Sequence, residues 1–339
     1  MTDVVRFVAE IEAFSVALKS AKTLLITAPG AADGDSIGAQ LALRRMICHS
    51  FPNISVYIVN DEPLPERYLF LPDVPHVDTP ESFSAKKTGI DVFDVAVIVD
   101  GGIDRAGRLR PVFEKARTQV FIDHHAVSVD YPYHIKMVDP DACATTELIY
   151  LLSQTSTFKT PVETNFAQQI YLGLIFDTGF FRHSNTTPES MELGAELLRT
   201  GFDFTRVGER GMLERTFASL QLLADTLGRA KISSGGKIIS AVLTQSKLQE
   251  LNACDDDREG IIDHLFLTRG IEVAVLFFEL PHGKTKVSFR SQGTLDVAQF
   301  ARSITERGGG HTKAAGAFIE KPVEETMNYV LTNLEKAIR

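Results

Sequence analysis

Short runs of consecutive apolar residues constrain the fold of the first 200 residues more than any other feature. Four of them, at Thr23–Thr27, Ile54–Val59, Val95–Val99 and Gln119–Ile122, are only four to six residues long, which is the usual length of a strand. A continuous apolar run is typical of a strand that is covered on both faces, as in a parallel sheet. In a strand with one exposed face, apolar and polar residues alternate. The pattern therefore predicts a mostly parallel sheet with flanking helices.

Helical patterns separate and follow these strands. Helices are predicted at Ser36–Cys48, Ala144–Ser153, Asn165–Phe176 and Pro188–Arg199. Strands that alternate with helices in this way are typical of an α/β domain.

The pattern changes after residue 236, where a second, smaller α/β domain is predicted. Its strands are expected at Ile238–Thr244, Val273–Phe278 and Thr285–Phe289, and its helices at Val297–Glu306 and Glu324–Ala337. A chain of 339 residues also exceeds the ~250–300 residues that one core usually supports. We predict a larger N-terminal domain over residues 1–200, a helical linker region over 201–235 and a smaller C-terminal domain over 236–339.

Composition narrows the class of protein. The formal net charge of −9 argues against a broad electrostatic grip on duplex DNA, although a few local cations can still bind a few phosphates. No run approaches the ~18 apolar residues of a membrane helix, and the N-terminal residues do not resemble a secretory signal. The three cysteines are odd in number and far apart, which does not suit a disulfide framework. A cytoplasmic protein that does not bind membranes is therefore expected.

Acids and histidines follow the apolar runs. These residues are Asp33 and Asp35 after the first strand, Asp100 after Val95–Val99, Asp123, His124 and His125 after Val120–Ile122, and Asp177 after the apolar segment Leu172–Phe176. The carboxyl ends of parallel strands meet at one edge of a sheet, where ligands bind. We therefore expect these side chains to form a two-metal hydrolytic centre.

Each motif also has a simpler interpretation. Asp33 and Asp35 suit a turn that starts a helix, Asp100 suits a turn, and Asp177 suits a helix C-terminus. A single histidine on an apolar face is more often a packing residue than a ligand. Two adjacent histidines after Asp123 fit that interpretation poorly, and the combination of all four segments favours a metal site.

The type of ligand predicts the type of ion. Oxygen-rich ligands with one imidazole suit Mn²⁺ or Mg²⁺ better than Zn²⁺, which prefers more histidine or cysteine. Two such ions generate hydroxide and stabilise charge during displacement at phosphorus. Asp100, on a central strand, is the candidate for the bridging carboxylate.

These motifs resemble those of the DHH phosphoesterases, with a DHH-associated domain at the C-terminus. The resemblance rests on Asp33–Gly38, Asp100 with Arg105, Asp123–His125 and Asp177–Gly179, and later on Val287–Ser291 and Gly308–His311. It covers nearly the whole chain and is strongest with the bacterial oligoribonucleases that also dephosphorylate pAp.

This resemblance implies a two-Mn²⁺ enzyme, with Mg²⁺ as the alternative ion and the active site in a cleft between the domains. Asp33, Asp100 and Asp177 would bind one ion, and Asp35, Asp100, His124 and Asp177 the other. His125 would contact the scissile phosphate, and Asp123 would orient a histidine. Arg105, Arg290, Ser291, Gly309, Gly310 and His311 would bind the substrate.

The sequence departs from the family at Pro29. The first motif of the family usually begins with a histidine ligand four residues before its first Asp, and proline has no side-chain donor. Three hypotheses for the function remain open. The first is a phosphodiesterase that releases nucleoside 5′-monophosphates from very short RNAs and dinucleotides such as pApA, and that also acts on pAp. The second is a nucleotide sensor without catalysis, which Pro29 suggests, and the third is an inorganic pyrophosphatase or polyphosphatase. The oligomeric state stays open, with a homodimer as one alternative.

Overall fold

The computed structural model describes residues 4–30, 32–125 and 130–338, except for the side chains of Val4, Val5, Asp255 and His311. The chain divides into two compact units, Met1–Glu214 and Arg215–Arg339. Among the described residues, none of the helices is long and apolar enough to cross a membrane.

The first unit is built on a six-stranded sheet. Its strands are β1 (Thr23–Thr27), β2 (Ser55–Val59), β3 (Val77–Asp78), β4 (Val95–Val99), β5 (Thr118–Asp123) and β6 (Ile135–Val138). They lie in the order β3-β2-β1-β4-β5-β6, and each pair of neighbours is parallel. The predicted parallel sheet is thereby confirmed.

Eight α-helices belong to this unit within the described residues. They are α1 (Val8–Ser20), α2 (Gly34–Ser50), α3 (Pro80–Ala85), α4 (Arg110–Lys115), α5 (Thr145–Gln154), α6 (Thr164–Asp177), α7 (Pro188–Leu198) and α8 (Phe204–Gly208). A π-helical turn, Glu209–Leu213, follows α8.

Both faces of the first sheet are buried, as its continuous apolar strands require. One face, with Leu24, Ile26 and Val97, packs in a core cluster with residues of α1, α2, α5 and α6. The other face, with Leu25, Ala96 and Phe121, packs in a second cluster around Phe113 of α4.

The second unit contains a mixed sheet. Its strands are β7 (Lys231–Ser233), β8 (Ile238–Leu243), β9 (Val273–Leu280), β10 (Lys284–Ser291), β11 (Gly308–His311) and β12 (Ala314–Ile319), and its α-helices are α9 (Phe217–Gly228), α10 (Gln245–Glu250), α11 (Ile261–Phe266), α12 (Val297–Ile304) and α13 (Val323–Ala337). The order is β11-β12-β10-β9-β8-β7; only β8 and β9 are parallel, and the other pairs are antiparallel.

Several elements were not predicted. Residues 308–311, interpreted from their glycines as a flexible loop, form β11, because β12 supplies an antiparallel partner for each of them. The stretch 201–235 was expected to be helical throughout, but it contains β7, a three-residue edge strand that pairs with β8. In both cases hydrogen bonds to a neighbouring strand outweigh weak local propensity.

Candidate metal centre

The order of the first sheet defines where a ligand would bind. The order reverses between β1 and β4, and such a switch point leaves a crevice at the carboxyl ends of the strands. The loop after β1 leads to Asp33 and Asp35, β4 leads to Asp100, and β5 ends at Asp123. The predicted acids therefore lie along one edge of the sheet.

Asp33 caps the first turn of α2. Its Oδ1 accepts hydrogen bonds from the backbone N–H groups of Asp35 and Ser36, at 3.1 and 3.0 Å. Burial raises the pKa of Asp33, and the charge of Asp35 raises it further. The turn interpretation is thus correct for this residue, and the same geometry holds its carboxylate near other acids.

Asp35 is fully buried and receives three hydrogen bonds from the start of α5. Its Oδ2 accepts from the Thr145 N–H at 2.6 Å, and its Oδ1 accepts from the Thr146 N–H and hydroxyl at 2.9 and 2.7 Å. A carboxylate at a helix N-terminus is stabilised by the helix dipole and by otherwise unpaired N–H groups. Thr145 and Thr146, which lie about 110 residues after Asp35 in the chain, therefore hold this acid in place.

Asp100 lies in a strained backbone conformation. Its φ of 58° is left-handed, which is uncommon outside glycine and tends to occur at functional sites. The side chain is only 5 % exposed and accepts hydrogen bonds from the hydroxyls of Ser36 and Thr145 at 2.5 and 3.2 Å. Burial raises the pKa of Asp100 well above its ordinary value, and nearby carboxylates add to the shift.

The segment Asp123–His125 arranges its two rings differently. Asp123 is buried, and its Oδ1 contacts His125 Nδ1 at 2.7 Å and accepts from the backbone N–H groups of both histidines. His124 Nδ1 lies 3.3 Å from Ala142 O, and its Nε2 lies 3.0 Å from Asp177 Oδ2. Asp123 therefore orients His125, while His124 faces the acid at the end of α6.

Asp177 and His124 both have raised pKa values, so each holds its proton to a higher pH than usual. Burial and the charge of Asp35 raise the pKa of Asp177 to about 7. Burial lowers the pKa of His124, but hydrogen bonding and the charge of Asp177 raise it more strongly, to about 10. A divalent ion bound by these two groups would displace their protons.

The side chains form two overlapping groups with metal-ligand spacing. One contains Asp100, His124 and His125, and the other Asp35, His124 and Asp177; within each group the ligand atoms lie within 4.8 Å of one another. Carboxylate oxygens with imidazole nitrogens suit Mn²⁺ or Mg²⁺. The residues present therefore fit divalent ions, with Asp33 within electrostatic reach of Asp100 and Asp177.

Pro29 and Arg105 flank the turn after Asp100. A Cβ atom added to Gly101 would lie 2.6 Å from Pro29 Cγ and 3.5 Å from Arg105 Nη1. Arg105 is exposed, and its carbonyl accepts from the Gly30 N–H at 2.9 Å. The proline thus occupies space beside the acid, and the guanidinium lies at the surface next to it.

The predicted substrate-binding residues of the second unit lie on or beside β10 and β11. Arg290 is half-buried, and its Nε contacts Asp263 Oδ1 at 3.2 Å. Ser291 is buried and donates to Leu295 O at 3.0 Å. Gly309 and Gly310 lie in β11, and no atom lies within 4 Å of a Cβ added to Gly309, so a ligand can approach this backbone closely. The His311 side chain lies outside the described residues.

Four supporting residues lie in segments that fit the family motifs, but the sequence assigned none of them a role in the site. Ser36, Thr145 and Thr146 donate to the buried acids. Asn185 Nδ2 donates to Cys143 O at 2.9 Å and to Asp177 O at 3.2 Å, which ties the end of α6 to the segment before α5. Hydroxyls and amides of this kind have no distinctive spacing, so only the folded arrangement identifies them.

The pKa shifts predict opposite pH dependences with and without metal. The folded, metal-free protein holds protons on Asp177 and His124 that the unfolded chain releases near pH 4 and 6.5. Its unfolding free energy should therefore fall from about pH 4 to about pH 10, first through Asp177 and above about pH 6.5 through His124. Stabilisation by Mn²⁺ should grow over the same range, because the ion binds deprotonated ligands. Urea unfolding at a series of pH values, with chelator or with Mn²⁺, measures how the unfolding free energy changes with pH in each case. Asp177→Asn should make the metal-free protein less sensitive to pH. An unchanged pH dependence in that variant would contradict its assignment to Asp177 and His124.

Comparisons with known proteins agree with this geometry. The chain matches the DHH family, N-terminal domain, over residues 23–174 and the DHHA1 domain over residues 230–339. It is 30% identical over 298 residues to the bifunctional oligoribonuclease and PAP phosphatase NrnA of Thermus thermophilus, covering 85% of this chain and 81% of that protein. It is 25% identical over 289 residues to the protein of the same name from Bacillus subtilis, covering 85% and 86%.

A solved structure shows the same fold over nearly the whole chain. An exopolyphosphatase-related protein from Bacteroides fragilis superposes with a TM-score of 0.87 at 22% identity, covering 97% of this chain and 96% of that one. With the two domain matches and the Thermus thermophilus relative, the chain belongs to the DHH family of phosphoesterases, which are hydrolases, and in this chain a DHHA1 domain follows the DHH domain.

Proposed function

We propose that this phosphoesterase hydrolyses very short oligoribonucleotides, including dinucleotides such as pApA, to nucleoside 5′-monophosphates, and that it also dephosphorylates pAp. The observation that carries the proposal is the cluster of buried acids and histidines, delivered by four separate segments to one edge of the sheet. The names of the Thermus thermophilus and Bacillus subtilis relatives support these substrates.

We propose two Mn²⁺ ions at this centre, with Mg²⁺ as the alternative. Asp33, Asp35, Asp100, His124 and Asp177 would hold them. Bound divalent ions supply a hydroxide nucleophile and neutralise charge on the phosphate.

His125 and Asp123 form a second functional pair in this proposal. The 2.7 Å contact from Asp123 Oδ1 to His125 Nδ1 fixes the ring so that Nε2 turns away from Asp123. A histidine oriented by a carboxylate is suited to hold a phosphate oxygen and to protonate a leaving group. The Arg105 guanidinium, exposed beside Gly101, would hold a second phosphate oxygen.

The second domain would hold the rest of the substrate. Arg290 is a cation on β10, and the open backbone at Gly309 allows a base or phosphate to approach. Gly310, Ser291 and His311 complete the proposed set. We further propose a cytoplasmic location, since an odd number of separated cysteines suits a reducing compartment.

An assay with matched substrates tests this function. Chelator-treated protein, supplied with Mn²⁺, Mg²⁺ or Zn²⁺, is incubated with RNAs of two to about five nucleotides, pAp and pyrophosphate. We expect release of nucleoside 5′-monophosphates from the dinucleotide with Mn²⁺, and little hydrolysis of pyrophosphate. Inactivity on every RNA and on pAp with all three ions contradicts the proposal, and preference for pyrophosphate would assign the chain to the pyrophosphatases.

Pro29 favours one further candidate function, a nucleotide sensor with little or no catalysis. At this position the family usually has a histidine that binds metal, and proline has no side-chain donor. That function predicts tight nucleotide binding, with turnover no faster than that of an Asp100→Ala variant. Turnover that depends on metal and on Asp100 excludes it.

Replacing Pro29 by histidine tests whether the missing ligand limits metal binding. Pro29 packs beside Gly101, next to Asp100, so an imidazole at this position is near the acids. We expect Pro29→His to tighten Mn²⁺ binding about tenfold, by analogy with the ~10–100-fold effects of supporting ligands. Titration calorimetry measures the change, with Pro29→Ala as the control that removes the ring without adding a donor. Equal affinities in the two variants would show that the imidazole does not reach the ion.

A further inference from the structure

A cavity of about 280 Å³ lies at the end of α2 that is remote from the candidate metal centre. It is lined by Arg44, Arg45, Cys48 and His49 of α2, by Asp73, and by Thr160, Pro161, Glu163 and Phe166 at the start of α6. Arg44 is nine residues beyond Asp35, which is roughly 14 Å along a helix. We call this space the Arg44 cavity. Its volume is close to the lower end of the ~300–1,000 Å³ range of small-molecule sites.

The Arg44 guanidinium carries a positive charge without a counter-ion. Within the part of the chain that the structure describes, Arg44 makes no hydrogen bond or ion pair, and its Nε is buried without an acceptor. Arg45 differs, because its Nε contacts Asp73 Oδ2 at 2.5 Å. The Arg45 guanidinium therefore neutralises Asp73, and the same Asp73 oxygen also accepts from Gln169 Nε2 at 3.0 Å.

The other titratable groups around the cavity add little negative charge. Burial raises the pKa of the Cys48 thiol, which keeps it neutral. Burial, and next the charge of Arg44, lower the pKa of the neighbouring His76, so that ring is neutral too. Glu163 and His49 also line the cavity, but both are exposed to solvent. The interior next to Arg44 is therefore positive.

The start of α6 reinforces this charge. The helix begins at Thr164 with no side-chain cap from Glu163 and no acid in its first turn. Its N-terminal end thus adds the positive end of the helix dipole to the cavity, and the nearest carboxylate, that of Glu163, is exposed and does not cap the helix.

We propose that the Arg44 cavity binds a phosphate dianion, as inorganic phosphate or as the phosphate of a nucleoside monophosphate. A guanidinium offers parallel N–H donors that match two phosphate oxygens. The site is separate from the acids that would bind metal, and it requires no hydrolysis.

Titration of metal-free protein tests this binding. Without divalent ions the candidate metal centre is acidic and repels anions, so binding reports on the cavity or on the nucleotide-binding residues proposed for the second domain, and the Arg44 variants distinguish these two sites. Calorimetry with inorganic phosphate and, separately, with AMP should show saturable binding with a Kd of about 1 mM or tighter. If inorganic phosphate binds, the cavity is a site for the free ion. If AMP binds but phosphate does not, the cavity is a site for nucleotides. Either result supports the proposal.

Variants assign the binding to Arg44. Arg44→Met, which keeps a similar apolar stem, should weaken binding roughly tenfold or more, and Arg44→Lys, which keeps the charge but not the fork, should weaken it less. Arg206→Met is the matched control, because Arg206 is an exposed arginine of the same unit outside the cavity. Urea unfolding verifies that each variant is folded. If Arg44→Met does not fold, the phosphate affinity of Arg44→Lys tests the proposal instead.

Two results overturn the proposal. One is the absence of saturable binding of either ligand up to about 10 mM; the other is binding that the Arg44 variants leave unchanged. Since no metal or RNA is present, these results are independent of whether the chain hydrolyses oligoribonucleotides.

Discussion

Asp100→Asn is expected to abolish metal-dependent hydrolysis while making the metal-free protein more stable. Asp100 belongs to one of the two ligand groups and directly follows β4, next to the switch point. Losing it should reduce the rate about 10³-fold or more, equivalent to about 4 kcal/mol in the barrier. The stability gain follows from the raised pKa of this acid, since burial and the charges of Asp33, Asp35 and Asp177 all oppose its ionisation.

The asparagine keeps the shape and the polar contacts of the side chain. The hydroxyls of Ser36 and Thr145 contact the present carboxylate, and a hydroxyl can accept from an amide as well as donate to it. Asp104→Asn, an exposed acid four residues along the same segment, is the control and should change neither property. The measurements are Mn²⁺-dependent hydrolysis and urea unfolding with chelator. If Asp100→Asn keeps more than about a tenth of the activity, a loss of 1.4 kcal/mol, Asp100 is not an essential ligand.

Gly173→Ala is expected to destabilise the protein by about 2–3 kcal/mol and to weaken metal binding. Gly173 lies within α6, where alanine would by itself favour the helix. However, a Cβ atom here would lie 2.3 Å from Asp35 Oδ1 and 2.4 Å from Thr146 Oγ1. The methyl group would therefore displace the buried carboxylate and the hydroxyl that holds it.

The control for this substitution is Gly228→Ala at the end of α9. No atom lies within 4 Å of a Cβ added there, so this change should be neutral or stabilise by up to about 1 kcal/mol. Urea unfolding and Mn²⁺ titration of both variants separate crowding from helix propensity. A Gly173→Ala variant as stable as the parent, with equal Mn²⁺ affinity, would show that α6 can move away from Asp35.

The sequence predicted the strands of the first sheet best where both faces are buried. Thr23–Thr27 and Val95–Val99 have the predicted bounds, because an unbroken apolar run has no other stable environment. The strands of this sheet that were missed lie at its two edges. Val77–Asp78 has two residues, and Ile135–Val138 alternates between buried and exposed positions, so neither carries a strong local signal.

The site itself was only partly accessible from the sequence. The acids and histidines could be found because each follows a recognisable apolar segment. Thr145 and Asn185 could not, since their role depends on contacts with residues distant in the chain. The left-handed backbone at Asp100 is a further property that no residue pattern announces, although Gly101 beside it indicates a sharp turn.

The three protein hydrogen bonds to Asp35 have a kinetic consequence for the enzyme. Because the protein itself holds this carboxylate in place, a cation bound by Asp35 as proposed would not need to drive any folding, in contrast to the ion of a zinc finger. The rate of metal binding should then be limited by how quickly the ion loses its bound water. The enzyme should therefore respond without delay to changes in the concentration of free metal.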